Sequence, residues 1–426
     1  MSKNLLGKLI FIHKEAIKMK TKKLVVFGLG QRGNIYASFA KKYPEKFNLV
    51  AIIENNQERI EYAKVQFPNV EIYEDYHIFL TKNVEADIVA VSTQDSTHKE
   101  HAIAMMEAGY DLLLEKPIAN TREECIEIFE TSKRCQRKVI VCHVLRYSPF
   151  YAAVKRELDA GKLGEVVTIH ASENVGYYHQ AHSYIRGPWR NTKESSPMIL
   201  AKCCHDMDIL RYLMGEKCES VSSYGSLFYF NEAHAPEGST AYCSDCNVEN
   251  CPFNAQKIYT SEEGDFFANY FTTKEHTREN VLNDLRHSAY DRCVFRCDND
   301  VVDHQVTAIQ FANGQTATHS MTGFSQKIYR DIKIHGTKAE LVGVMESNSY
   351  EIRYFDGKIE KVDVDITAAD VGGHNGGDFF MMNNLYKELN GEKAEGITYL
   401  DVSIESHLMS FAAEKSRLNK GCVIEI

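Results

Sequence analysis

The sequence predicts an α/β plus α+β protein: an N-terminal doubly wound parallel sheet, then a C-terminal α+β domain with a large, mostly antiparallel sheet. Three observations predict it. An apolar strand runs into a glycine-rich turn and a helical stretch at residues 22–43; strands and helices then alternate to residue 142; and segments 306–311, 316–322, 328–336 and 339–344 alternate apolar and polar residues. The length of 426 residues suits two or three domains. A hydrophobic fraction of 44% and a charged fraction of 25% exclude a disordered chain, a collagen and a coiled coil. No apolar run approaches the roughly 18–20 residues of a membrane span. The net charge of −10, from 49 basic and 59 acidic residues, argues against a nucleic-acid partner, because phosphate-backbone binders carry a basic excess.

Residues 1–18 read as a disordered extension or a misassigned start. Their apolar run at 9–12 is too short for a secretory signal, no small-residue cleavage site follows, and a second methionine, Met19, precedes the first strand. The expected division is 19–142 for a dinucleotide-binding domain and 143–426 for a substrate-binding and oligomerisation domain, with a cysteine-rich insertion at about 230–300. The 12 cysteines read as thiols of a reducing cytoplasm.

Strand 24–27 enters Gly28-x-Gly30-x-x-Gly33, the strand–turn–helix context of a Rossmann dinucleotide site. Gly28 permits the tight turn, Gly30 lets a pyrophosphate approach the backbone, and Gly33 lets the helix pack on the strand. Gln31 and Arg32 complete the loop, whose helix N-terminus offers free N–H groups to phosphate. Glu54 ends the second strand (49–53), where a carboxylate binds ribose hydroxyls and favours NAD over NADP; Arg32 could accommodate a 2′-phosphate, which leaves NADP open. Strands 87–92, 110–114 and 138–142 continue the alternation with helical stretches at 98–109 and 121–134. Ligands bind at the carboxyl ends of such strands, which puts Thr93, Asp95, His98, Glu115 and Lys116 among the candidate cofactor contacts.

Glu115-Lys116-Pro117 after the fifth strand, together with the glycine motif and a later His-Asp helix, resembles the Gfo/Idh/MocA family of NAD(P)-dependent sugar oxidoreductases. The resemblance runs from about Lys22 to the C-terminus and includes the turn Gly161-Lys162-Leu163-Gly164 that enters the family's α+β domain. It implies that Lys116 lies between nicotinamide and substrate and that Pro117 is cis. It also implies that one face of the second sheet walls the site, while the other forms a homodimer or homotetramer.

Residues 198–215 read as one helix, with Lys202, His205 and Asp206 on a shared face. Alcohol oxidation needs a base for the hydroxyl proton, and histidine is suited by its near-neutral pKa; by the resemblance His205 is that base. Many family members carry an aspartate four residues earlier, where this chain has Ala201. The stretch Lys202-Cys203-Cys204-His205-Asp206 resembles a particular subgroup instead. Lys202 is expected to depress the His205 pKa and Asp206 to raise it, while Lys116 and Lys202 can stabilise an alkoxide or enolate. The expected catalytic residues are therefore Lys116, His205 and Lys202.

Tyr177, Tyr178, His179, His182, Ser183, Tyr184, Arg186, Trp189 and Arg190 form a polar-aromatic stretch suited to a sugar's apolar faces and hydroxyls. Tyr177, His182, Arg186 and Trp189 are the expected substrate contacts, with Lys116, Lys202, His205, Asp206 and His374. His374 belongs to the glycine-rich segment 372–378, whose Asp378 reads equally as a helix cap. Cys243, Cys246 and Cys251, with Cys297 of a later Cys-x3-Cys, read either as free thiols or as a structural zinc site. The expected activity is hydride transfer between a ring carbon of a sugar, cyclitol or glycoside and NAD. Two alternatives stand beside it: a redox-neutral glycosidase or lyase acting through transient oxidation, and a non-catalytic NAD and sugar sensor.

Overall fold

A computed structural model describes residues 19–272, 274–368 and 373–426; the expected extension 1–18 and Gly372 lie outside the described residues. Strands β1 (Lys22–Phe27), β2 (Phe47–Ile53), β3 (Glu71–Tyr73), β4 (Ile88–Val91), β5 (Leu112–Leu114) and β6 (Val139–Val141) form a parallel sheet in the order β3-β2-β1-β4-β5-β6. β4 and β5 are buried at every position, as strands covered by helices on both faces must be. The strand order reverses between β1 and β4, and this opens a crevice at their carboxyl ends.

The second sheet contains β7 (Val166–Asn174), β8 (Cys218–Ser226), β9 (His304–Phe311), β10 (Thr316–Thr322), β11 (Tyr329–Gly336), β12 (Ala339–Val344), β13 (Ser349–Tyr354), β14 (Ile359–Asp363) and β15 (Ile424–Glu425). Their order is β14-β13-β12-β11-β7-β10-β9-β8-β15. β7 and β10 pair in parallel, and the other pairs are antiparallel. Ile169, Ile309, Ile332 and Leu341 project from one face onto Met207, Leu210 and Leu213 of the helix Cys204–Met214.

Two features depart from the sequence expectation. The helix expected over 198–215 is broken: Met198–Ala201 and Cys204–Met214 are separate helices with Lys202 and Cys203 between them. The Ala201 carbonyl, which a continuous helix offers to the N–H four residues on, is engaged by Lys116 Nζ at 2.9 Å. The second difference concerns the domain division at residue 142. Met381, Met382, Leu385 and Tyr386 of the helix Gly377–Leu389 join Tyr36, Phe39 and Phe47 in one cluster. Leu400 and Ile404 of the helix Leu400–Leu418 pack with Ile118 and Val141. The helix Leu400–Leu418, whose Met409, Ala412 and Ala413 pack into the core beneath the second sheet, therefore joins the two sheets. Between β8 and β9 an insertion has its own aromatic core, including Phe230, Phe253, Tyr259, Phe267 and Phe295.

Candidate active site

A cleft of about 650 Å³ lies between the glycine loop on one side and the second sheet with the 179–189 segment on the other. That volume suits a small organic ligand. Its cofactor half is shaped by backbone. Gly28 has φ +88°, a conformation that favours glycine, and a Cβ on Gly33 would stand 1.9 Å from the Gly28 carbonyl oxygen. A Cβ on Gly30 would meet only Arg59, at 3.8 Å; this face opens into the cleft. Gly30 also starts the helix Gln31–Lys42, whose first turn has neither a side-chain cap nor an acidic residue, so its N–H groups remain available to phosphate. Glu54 is buried beside this turn. Its carboxylate accepts from Leu29 N at 2.7 Å and from Asn55 N and Asn56 N at 2.9 Å, with Arg59 at 3.7 Å. This chemistry fits a dinucleotide.

Arg32 donates to Glu115 at 2.6 Å and to Tyr36 at 2.8 Å, and pairs with Asp378 at 2.6 Å. Burial alone would raise the Glu115 pKa; Arg32 and the hydrogen bonds from Tyr36 and Arg32 hold it below the usual value. Asp378, which also accepts from Gly373 N at 2.8 Å and faces His374 Nδ1 at 3.1 Å, stays ionised against its burial. Asp378 is therefore not the expected cap: Gly376 holds that position, and the carboxylate ties the 373–377 loop to the glycine loop.

Lys116, from the first domain, and His205, from the second, both line the cleft. The Lys116–Pro117 peptide is cis. Lys116 uses one of its three donors on Ala201 O, the position where a carboxylate was expected and is missing. His205 is buried, and its Nδ1 has no partner among the described residues. Burial, followed by Lys116, His143, His374 and Arg330, keeps its pKa well below the ordinary value. Neither Lys202 nor Asp206 is among the groups that set this shift, contrary to the sequence expectation. His179, also in the cleft, is held neutral by burial and then by Lys202.

Behind Lys202 lies a buried ion network. Lys202 Nζ is 3.3 Å from Glu173, Arg330 pairs with Glu173 and donates to Asp206 at 3.0 Å, and Glu346 lies 3.8 Å from Arg330. Burial raises the Asp206 pKa against the pull of Arg330, whereas Arg330 and Lys202 hold Glu173 low against its burial.

The cleft lining includes the expected Gly30, Gln31, Arg32, Thr93, Asp95, Glu115, Lys116, Trp189, Lys202, His205 and His374. Trp189 Nε1 donates to Asp95 Oδ2 at 3.2 Å across the two domains. Other expectations are corrected. His98 is buried between the carbonyl oxygens of Pro117, at 2.7 Å, and Thr93, at 3.2 Å, so it braces the Lys116 turn and is not on the cleft wall. Tyr177 packs on the insertion. His182 stacks on Tyr290 and faces Tyr259 at 2.9 Å, and Arg186 is spent on the carbonyls of Arg292 and Phe253, each at 2.7 Å. Asp206 faces the sheet, in the network with Arg330. Cys297 is displaced from the thiol cluster, where Cys293 takes its place.

Sequence reasoning missed Glu173, Arg330, Glu346, Tyr270 and Arg59. Tyr270 from the insertion donates to Gln31 Oε1 at 2.9 Å. The cleft-facing His179, Ser183 and Tyr184 come from the end of the short helix Tyr177–His179 and from the π-helix Gln180–Arg186 that follows it.

Buried neutral histidines carry a prediction. Burial pushes His143, His179 and His205 well below the usual value, and His182 and His407 down to about 3. Below the unfolded value of about 6.5, the unfolded chain takes up protons that the folded chain refuses. Stability is then complete above that pH and falls as pH drops toward the folded values. Each fully buried histidine is expected to cost about 2 kcal/mol at pH 5. Thermal melts from pH 8 to pH 5 should show a steep fall in Tm, and a flat Tm would contradict neutral burial.

A doubly wound sheet whose uncapped glycine turn opens into a cleft also lined by Lys116 and His205 has the architecture of a dinucleotide-binding protein. The chain belongs to the Gfo/Idh/MocA oxidoreductase family: the family's NAD-binding Rossmann fold matches residues 22–143 and its C-terminal alpha/beta domain residues 155–417. The oxidoreductase YteT of Bacillus subtilis is 25% identical over 393 residues, covering 86% of this chain and 88% of YteT. Inositol 2-dehydrogenase 2 of Saccharopolyspora erythraea is 27% identical over 206 residues, covering 48% of this chain and 57% of that protein. Among solved structures, levoglucosan dehydrogenase in complex with NADH and levoglucosan superposes with a TM-score of 0.70 at 17% identity, covering 96% of this chain and 100% of that one. Among the described residues no helix is long and apolar enough to cross a membrane.

Proposed function

We propose that this chain is an NAD-dependent dehydrogenase of a polyhydroxylated ring: a sugar, a cyclitol or a glycoside. The observation that carries the reading is the placement of Lys116 and neutral His205 in one cleft with the open Gly30 turn. Relatives named for inositol and levoglucosan oxidation support the substrate class. Bound NAD supplies the hydride acceptor. Gly30 and the N-terminus of the helix Gln31–Lys42 would hold its phosphates, and Glu54 would hold a ribose. Lys116, fixed by Ala201, donates to the reacting oxygen and stabilises the alkoxide. His205 takes the hydroxyl proton. Trp189 offers an aromatic face to the ring, and His374 and Lys202 offer donors. The outer face of the second sheet, with His170, Thr318, Lys333, His335 and Arg353 around a groove, is the surface through which a dimer or tetramer is expected.

A histidine held neutral far below pH 6.5 moves the acid limb of oxidation downward. The kcat/KM–pH profile should therefore stay level from pH 8 to below about 6.5. A limb centred near 7 would contradict the assignment.

A second reading is favoured by one observation: where a carboxylate was expected, the cleft has the Ala201 carbonyl, and it adds the Lys202 ammonium and neutral His179. Such a site suits redox-neutral elimination, in which transient oxidation acidifies the neighbouring C–H and the hydride then returns. That reading predicts solvent deuterium beside the oxidised carbon and no net NADH. Turnover of any bound sugar would remove a pure sensor role.

A further inference from the structure

The insertion contains a second cluster of reactive groups, remote from the chemistry above. Cys243, Cys246, Cys251 and Cys293 line one small cavity of about 10 Å³, closed on one side by Phe253. A space of that size holds about one small sphere. We propose that these four cysteines bind a single thiophilic metal ion, zinc, as a tetrathiolate centre that fastens the insertion over the cofactor side of the cleft.

Two observations support it. The first is convergence. Cys243-x2-Cys246, Cys251 and Cys293 come from separate stretches of the insertion, yet they line the same small cavity. A Cys-x2-Cys pair joined by two further cysteines is the ligand set of a structural zinc site.

The second is charge. Arg186 is completely buried, donates to the carbonyls of Arg292 and Phe253, and reaches Cys243 Sγ at 3.6 Å. Among the described residues no carboxylate forms an ion pair with it. The nearby Asp291 accepts from Ser244, through its N–H at 3.0 Å and its hydroxyl at 2.5 Å, and acts on Arg186 only from beyond ion-pair distance. A buried guanidinium is stabilised by an anion in direct contact, and the neutral thiol of Cys243 supplies none. One divalent ion with four thiolates carries a net charge of −2, and its formation releases the four thiol protons.

A zinc tetrathiolate has Zn–S bonds of about 2.3 Å, whereas among the described residues no three of these sulfurs lie within 4.8 Å of one another, so binding an ion requires the thiols to move inward. Cys203, Asp206 and His319 bring their ligand atoms within 4.8 Å of one another, but Arg330 already neutralises Asp206 there at 3.0 Å. A second cation at that point would have no counter-charge.

The centre would act on the cofactor site through Tyr270, which the same insertion extends to Gln31. The test is the metal content of the full chain, purified without chelator, and the visible spectrum after exchange with cobalt(II). The expected result is about one zinc per chain and the ligand-field bands of tetrahedral cobalt thiolate. Cys293→Ser should abolish those bands, whereas Cys297→Ser, whose thiol lines a different depression, should keep them. If Cys293→Ser does not fold, mercurial titration of the wild-type chain should release one zinc as the thiols are consumed. Zinc below about 0.1 per chain with no cobalt signature would overturn the proposal. So would iron with acid-labile sulfide, or bands lost in Cys297→Ser and kept in Cys293→Ser.

Discussion

His205→Ala is expected to lower kcat for sugar oxidation by about 10²–10⁴-fold, the usual contribution of a positioned general base, with the Kd for NADH unchanged. The separation follows from geometry. His205 is in the substrate half of the cleft with Lys116 and His374, whereas the phosphates and ribose are held by the glycine turn and Glu54. Truncation also leaves no orphaned partner, because His205 Nδ1 has none among the described residues. NADH binding can be followed directly: Trp189 is the single tryptophan of the chain, and it lines the cleft. Quenching of its fluorescence by NADH should be the same in the variant and the parent. A variant with full turnover would remove His205 from the chemistry, and a variant that lost NADH binding would make its role structural.

Arg330→Met is expected to destabilise the protein by about 3–5 kcal/mol, the cost of leaving buried charges without their partner. Arg330 is the shared cation of Glu173 and Asp206, both fully enclosed, and Lys202 reaches only Glu173, at 3.3 Å. The loss should appear as a lower urea midpoint. It should be partly recovered by Arg330→Met combined with Glu173→Gln, which removes one stranded charge along with its partner. A midpoint that does not move would mean that the carboxylates are already protonated in the parent. Lys202→Ala leaves Arg330 in place and should have a smaller effect on stability, so any large loss of turnover in that variant would reflect the cleft itself.

The parts of the site legible in the sequence are those built by contiguous residues. The turn Gly28–Gly33, the carboxylate after β2 and the Glu115-Lys116-Pro117 turn each depend on local backbone geometry, and the structure places all three where strand order predicts. The parts that were not legible depend on distant partners. Glu173 and Arg330 oppose each other in register on β7 and β11, a pairing fixed only when the second sheet assembles. The polar-aromatic stretch had the right composition, but composition does not show that His182 and Arg186 are used inside the insertion while His179 and Tyr184 line the cleft. Asp206 shares sequence spacing with His205, yet the break at Lys202–Cys203 separates the helix that carries both from the turn before it, and Arg330 draws Asp206 to the sheet. His98 occupies a strand-end position that usually faces ligand, but its ring closes on two carbonyls. Cys293 rather than Cys297 completes the thiol cluster because the loop carrying both folds back on Arg186 through the Arg292 carbonyl.

The most direct test of the central claim is NADH absorbance in a mixture of the full chain, NAD and a panel of sugars, cyclitols and glycosides, with products read by mass spectrometry. The account predicts NADH formed in proportion to an oxidised ring product, and its loss in Lys116→Ala and His205→Ala. NAD binding without any NADH or altered sugar across the panel would contradict it.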